Sequence, residues 1–283
     1  TKNEPRKVAR SVQDTKPYEH ECGKYIFEVS PNHNSVTYAF TDVTYDAADA
    51  AEQERIFLAY GDLLNSFDTT DDIQITLHNN VINDKEFADR ILLKPANDGF
   101  DEYRNEYNEM LLDKMQQGQN GISTKKYFTV TVTAATLELA QQKLASNELA
   151  LRTYFQKIGS QIEKLKANER IRIIADIFRG VNQEIRPITS SQFMRGAEKS
   201  LCCPDYFEFK KDYFLYNDKF ARMVYLKHLP SSLVDDLLKE LCETSLPIVV
   251  TVNIAPVEPV EAIKVVKRQL TAMRSNKMQK EKK

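Results

Sequence analysis

Hydrophobic and polar positions alternate with a period of two from residue 25 to residue 40. Tyr25, Phe27 and Val29 share one side of a first strand, and Val36, Tyr38 and Phe40 share one side of a second. This is the pattern of a half-buried hairpin turning through residues 30–34. The period then lengthens to that of a helix. Asp49 with Glu52 three residues on marks its start, and Ile56, Tyr60, Leu63, Leu64 and Phe67 form its apolar stripe. Ile73, Ile75 and Leu77 supply another one-faced strand.

The same order recurs in residues 212–256. An aromatic hairpin is followed by a helix opening at Ser231-Ser232, with Asp235 placed for a capping box and Leu233, Val234, Leu237, Leu238 and Leu241 on one stripe. Ile248, Val250, Val252 and Ile254 then alternate against Val249, Thr251 and Asn253 as a strand. The two hairpin-helix-strand units read either as a divergent duplication or as independent uses of a common arrangement. Each is followed by a further helix, the first in residues 98–117 through Tyr103, Tyr107, Met110 and Leu111, the second through Val260, Ile263, Val266, Leu270 and Met273. Between the units, residues 125–133 form a β-branched strand. A long helix starts near Thr136, buries Leu137, Ala140, Leu144, Leu151, Phe155 and Ile158, and stops at Gly159. Residues 161–166 read as a strand and 169–179 as an amphipathic helix.

The expected fold is therefore α+β with two subdomains, each an antiparallel or mixed sheet with helices mainly on one face. The expected divisions are an extended basic arm at 1–22, a first subdomain at 23–180, a connection at 181–203, a second subdomain at 204–256 and a basic helical extension at 257–283. That extension ends in lysines while its apolar stripe fades, which leads us to expect that the natural polypeptide continues beyond it.

The chain has 283 residues and a net charge of −2, so the whole molecule offers no electrostatic attraction to nucleic acid or an anionic membrane. Any such binding needs a local patch. Cys22, Cys202, Cys203 and Cys242 contain no C-x-x-C pair, which fits a reducing, cytoplasmic setting. No apolar run approaches the roughly 20 residues needed to cross a bilayer, and no signal-peptide pattern opens the sequence.

Catalytic motifs are not found. Gly118 and Gly121 are the nearest approach to a phosphate loop and lack the following Lys-Ser/Thr. His20, His33, His78 and His228 are scattered, and the one tight grouping, His20-Glu21-Cys22, reads as incidental to a flexible arm. Cys202-Cys203 reads as partly buried thiols near a strand start. The acids of Thr70-Asp71-Asp72 and Asp235-Asp236 fall where solvated faces and caps are expected. Catalytic, metal and cofactor residues are therefore not assigned.

Candidate partner-binding residues come from two features. Tyr206, Phe207, Phe209, Tyr213, Phe214 and Tyr216 exceed what one half-buried hairpin can hide, because alternation sends some of them to each face. Phe207 and Phe214 represent that surface. Arg6, Lys7 and Arg10 in the arm and Lys267, Arg268 and Arg274 in the last helix are the basic candidates, with DNA as the alternative partner.

Four stretches together resemble a known family: residues 5–15 (PRKVARSVQDT), 62–68 (DLLNSFD), 102–111 (EYRNEYNEML) and 203–209 (CPDYFEF). They are similar to the N-terminal region of TraE-type conjugal-transfer ATPases of Gram-positive conjugative elements, within the wider CagE/TrbE/VirB family of type IV secretion. The resemblance spans nearly the whole chain in the same order, and its specificity lies in the combination. It implies a bacterial, cytoplasmic protein held at the inner face of the cell membrane by partners. Those partners would be inner-membrane components of the transfer channel and other ATPase subunits. ATP and Mg²⁺ would bind in a C-terminal domain whose P-loop has no counterpart here, so this region would be the non-catalytic docking and assembly part.

Overall fold

The computed structural model describes residues 18–81, 91–116, 122–179, 200, 202–217, 219–227, 239–241, 244 and 246–281. Its larger sheet combines β1 (His20–Glu21), β2 (Phe27–Ser30), β3 (His33–Phe40), β4 (Asp71–Val81), β5 (Ile122–Thr133), β6 (Ile162–Lys164) and β10 (Val249–Ile254). The order is β1-β2-β3-β5-β4-β10, with β6 pairing β3 off that path. All these pairings are antiparallel. A second sheet joins β7 (Phe207–Phe209), β8 (Phe214–Tyr216) and β9 (Lys219–Ala221). The protein is α+β with two sheets.

Register decides which face is core. Val36 opposes Val130, Tyr38 opposes Phe128, and Ile73 and Ile75 oppose Val130 and Phe128 from the other side. This apolar face packs against α1 (Ala50–Asn65) and α3 (Leu137–Lys157) through Leu63, Phe67, Ala140, Leu144, Leu151 and Phe155. Phe128 sits between Phe67, whose ring stacks at 6.1 Å, and Phe155, edge-on at 5.8 Å.

The helix ends follow the sequence signals. The Asp49 carboxylate accepts from the Glu52 N–H at 2.8 Å, and the Thr136 hydroxyl caps α3 by accepting from Leu139 N–H. Gly159, at φ +81, ends α3 in the left-handed region, where a side chain would strain the backbone.

The opposite face is rich in hydroxyls. Ser35, Thr37, Thr129, Thr131, Thr76 and Thr251 lie on it by alternation. α4 (Ala167–Arg179) covers its β2–β3 end, where Tyr18, Phe27, Ala167, Ile171, Ala175 and Cys202 form a smaller core.

Three expectations change. The strand at 249–254 pairs with β4, Ile254 opposite Ile73 and Val249 opposite His78, so it completes the larger sheet and does not join the aromatic hairpin. The first hairpin-helix-strand unit lies within one sheet while the second is divided between two, so the sequence echo is not matched by equivalent pairing. In α2 (Asp101–Gln116), Tyr103, Tyr107 and Met110 are exposed, so the expected stripe is not a buried one. The second-unit helix at 231–241 lies outside the described residues except for 239–241, and so does the connection expected at 181–203 except for 200, 202 and 203.

Candidate interaction surface

The three strands of the small sheet are each only three residues long, and aromatic rings hold them together. Phe207 opposes Tyr216 and Phe209 opposes Phe214. The Phe207 ring contacts Phe209, Phe214 and Tyr216 at centroid distances of 5.9, 6.1 and 5.2 Å, and Phe209 meets Phe214 at 5.7 Å. One face is thus a four-ring cluster. The other carries Phe220 opposite Leu215, with Tyr213 5.7 Å from the Phe220 ring. The turn into β9 uses Asn217 at φ +49, a conformation that asparagine tolerates. The Asn217 side-chain oxygen accepts from Asp205 N–H at 2.8 Å.

Arg179, at the end of α4, anchors the entry to this sheet. Its Nε donates to the Cys203 carbonyl and its Nη2 to Asp205 Oδ1, both at 2.6 Å. Burial pushes the Tyr216 hydroxyl up to about 12, opposed by the charge of Arg179.

Both faces of this sheet reach solvent. Phe209 is 75% exposed on one side and Phe220 77% exposed on the other. The chain then runs through Met223, Val224, Tyr225 and Leu226, all highly exposed. Separately, on α5 (Pro259–Glu281), Val260, Ile263, Val266, Leu270 and Met273 fall on one side at helical spacing and are each about half exposed or more. Isolated exposed apolar residues are ordinary, but contiguous apolar surface marks a contact site.

The expected partner-binding residues fare differently. Phe207 and Phe214 are half-buried within the ring cluster. Of the more accessible rings, Phe209 belongs to the aromatic group expected from the sequence, whereas Phe220 was not singled out there. Lys267, Arg268 and Arg274 are exposed on α5, whereas Arg6, Lys7 and Arg10 lie outside the described residues.

Other chemistry is distributed over the larger sheet. A cavity of about 520 Å³ lies between the hydroxyl-rich face and α4, lined by Thr37, Thr129, Gln74, Asn253, Ile173 and Ile177 among others. At its edge Arg170 donates to the Ser35 carbonyl at 3.1 Å and to Ser35 Oγ at 2.8 Å, and packs 4.5 Å from the Phe27 ring. Burial lowers its guanidinium to about 10. Asp71 is not on a solvated face: it is buried, its Oδ2 accepts from Asn147 at 3.2 Å, and burial raises its carboxyl. His78 is buried too, and burial together with the Lys125 charge lowers its pKa. Cys202 and Cys203 are both fully buried, Cys202 with its sulfur 3.4 Å from the Tyr18 hydroxyl, which corrects the partly buried expectation.

His20 and Cys22 belong to a three-residue group, but its carboxylate is Glu28 and not Glu21. Strand pairing places His20 opposite Glu28. No spacing in the sequence joins these two, and only the register of the β1–β2 pair does so.

Among the described residues no helix is long and apolar enough to cross a membrane. In comparison with known proteins, the chain matches no family model and no curated protein.

Proposed function

We propose that this chain is the docking and assembly region of a conjugative DNA-transfer ATPase, contacting inner-membrane components of the channel and neighbouring subunits. In this reading it lies at the inner face of the bacterial cell membrane through those partners, while ATP and Mg²⁺ bind a separate C-terminal domain. The observation that carries the contact role is the small aromatic sheet, which presents Phe209 and Phe220 to solvent from opposite faces. A sheet with two apolar faces needs covering on both, and a protein partner supplies apolar cover without requiring net charge. The resemblance of the four sequence stretches supports the reading of the system as conjugative transfer.

Photo-crosslinking from position 225, an exposed site just beyond β9, in cells carrying the transfer system, tests this. Adducts with channel components or a second subunit are expected, and a Phe209→Ser, Phe220→Ser double variant should keep the fold of the larger sheet but lose them. Unchanged adducts in that variant would count against the surface. Phosphate release from ATP by the purified chain would count against the non-catalytic role.

The exposed cations Lys264, Lys267, Arg268 and Arg274 within three turns of α5 favour DNA as a second reading. It requires an affinity that falls steeply with salt and is lost in an Arg268→Glu, Arg274→Glu variant.

A further inference from the structure

We propose that His20, Cys22 and Glu28 form a binding site for a borderline-soft divalent metal of the Zn²⁺ class, which clamps β1 to β2. One ligand atom from each residue lies within 4.8 Å of the other two. His20 Nδ1 and Glu28 Oε2 are 3.4 Å apart. Two ligands held tetrahedrally at the usual zinc–nitrogen and zinc–oxygen distances of about 2.0–2.2 Å are separated by about 3.4 Å, so this pair already has the span of one tetrahedral edge. The Cys22 sulfur lies within 4.8 Å of both, so it needs a shift of at most about 1.3 Å to complete the triangle at a zinc–sulfur distance of about 2.3 Å.

The backbone is arranged to deliver Cys22 to this place. Gly23, Lys24 and Tyr25 follow at φ +89, +52 and +66, a left-handed run in which two residues lack the freedom of glycine. The run is closed by Cys22 N–H to the Ile26 carbonyl at 2.8 Å and by Ile26 N–H to the Gly23 carbonyl at 3.1 Å. Glu21 is occupied elsewhere, since its Oε1 accepts from Tyr25 N–H at 3.1 Å. It therefore holds the loop, and Glu28 serves as the carboxylate ligand.

His20 is exposed and the other two are half-buried, so a metal can enter from solvent and keep a water as its fourth ligand. One thiolate, one imidazole and one carboxylate favour Zn²⁺ or Co²⁺ over Mg²⁺ or Ca²⁺, which take oxygen ligands. Binding releases the Cys22 thiol proton to solvent as the metal–sulfur bond forms. The mechanical effect falls on a strand of two residues, immediately after the buried Tyr18. A metal here fixes β1 against β2 beside Tyr18.

The test uses the full chain, stripped with a chelator and titrated with Co²⁺. A thiolate-to-cobalt absorption band saturating at one equivalent and displaced by Zn²⁺ is expected. Cys22→Ser should abolish the band and Glu28→Gln should weaken affinity at least tenfold, while Zn²⁺ at one hundred times its Kd should raise the unfolding midpoint of the wild type. No band in the wild type, or the same band in Cys22→Ser, overturns the site. If Cys22→Ser does not fold, unchanged affinity in Glu28→Gln overturns it equally.

Discussion

Replacing Phe207 with alanine separates the two sheets energetically. The Phe207 ring makes three aromatic contacts: those to Phe214 and Tyr216 join β7 to β8, and that to Phe209 lies within β7. Such pairs contribute about 0.5–1.5 kcal/mol each beyond the area they bury. The cluster is half open to water, so the lower half of the summed range applies, about 2 kcal/mol. Strands this short have few other contacts to share the loss, and the small sheet should open locally with an equilibrium constant raised about 30-fold, since 1.4 kcal/mol is a factor of about ten. Hydrogen exchange reads this directly. Amides within Phe207–Phe209 and Phe214–Tyr216 should lose about 30-fold in protection, while those of Val36 and Val130 in the larger sheet keep theirs. Equal loss in both sheets would refute the argument, because it would make them one cooperative unit. No loss in either would show that the rings do not hold the strands.

Two further predictions concern the larger sheet. Phe128→Ala removes the ring between Phe67 and Phe155 and should cost about 3–5 kcal/mol of global stability, measured as a lowered urea midpoint with an unchanged slope. The His78 pKa lies below its ordinary value in the folded state, so the unfolded chain binds the extra proton first and stability should fall as pH drops below about 6.5. His78→Gln should flatten that fall between pH 7.5 and 5.5, and an equally steep fall in the variant would assign the acid sensitivity to another group.

Local elements were readable wherever a periodicity met a stop signal. Asp49 and Thr136 cap the helices expected of them, Gly159 ends α3, and the alternation of Val36, Tyr38 and Phe40 gives β3 its apolar face. Partners were not readable, because alternation fixes which face a strand buries but not which strand lies beside it. Residues 249–254 identify themselves as a strand, yet nothing in them names Ile73 as the neighbour of Ile254. The same limit hid Glu28 from His20 and left Asp71 looking like a solvated turn residue, since its hydrogen-bond partner Asn147 lies on a distant helix. On the interaction surface, composition revealed the excess of rings. Ranking Phe209 and Phe220 above Phe207 and Phe214 required knowing how few residues cover a three-strand sheet.

The pairing of β10 with β4 makes completion of the larger sheet a late event in synthesis. Ile73 and Ile254 are 181 positions apart (254 − 73). On the ribosome β4 emerges and can align with β5 long before its other neighbour exists. Until then its outer edge offers a row of unpaired amides and carbonyls to any passing strand. A shortened chain ending before residue 249 would keep that edge open permanently. Such truncations are expected to precipitate or to recruit a substitute strand, even though they retain both helices that pack the core.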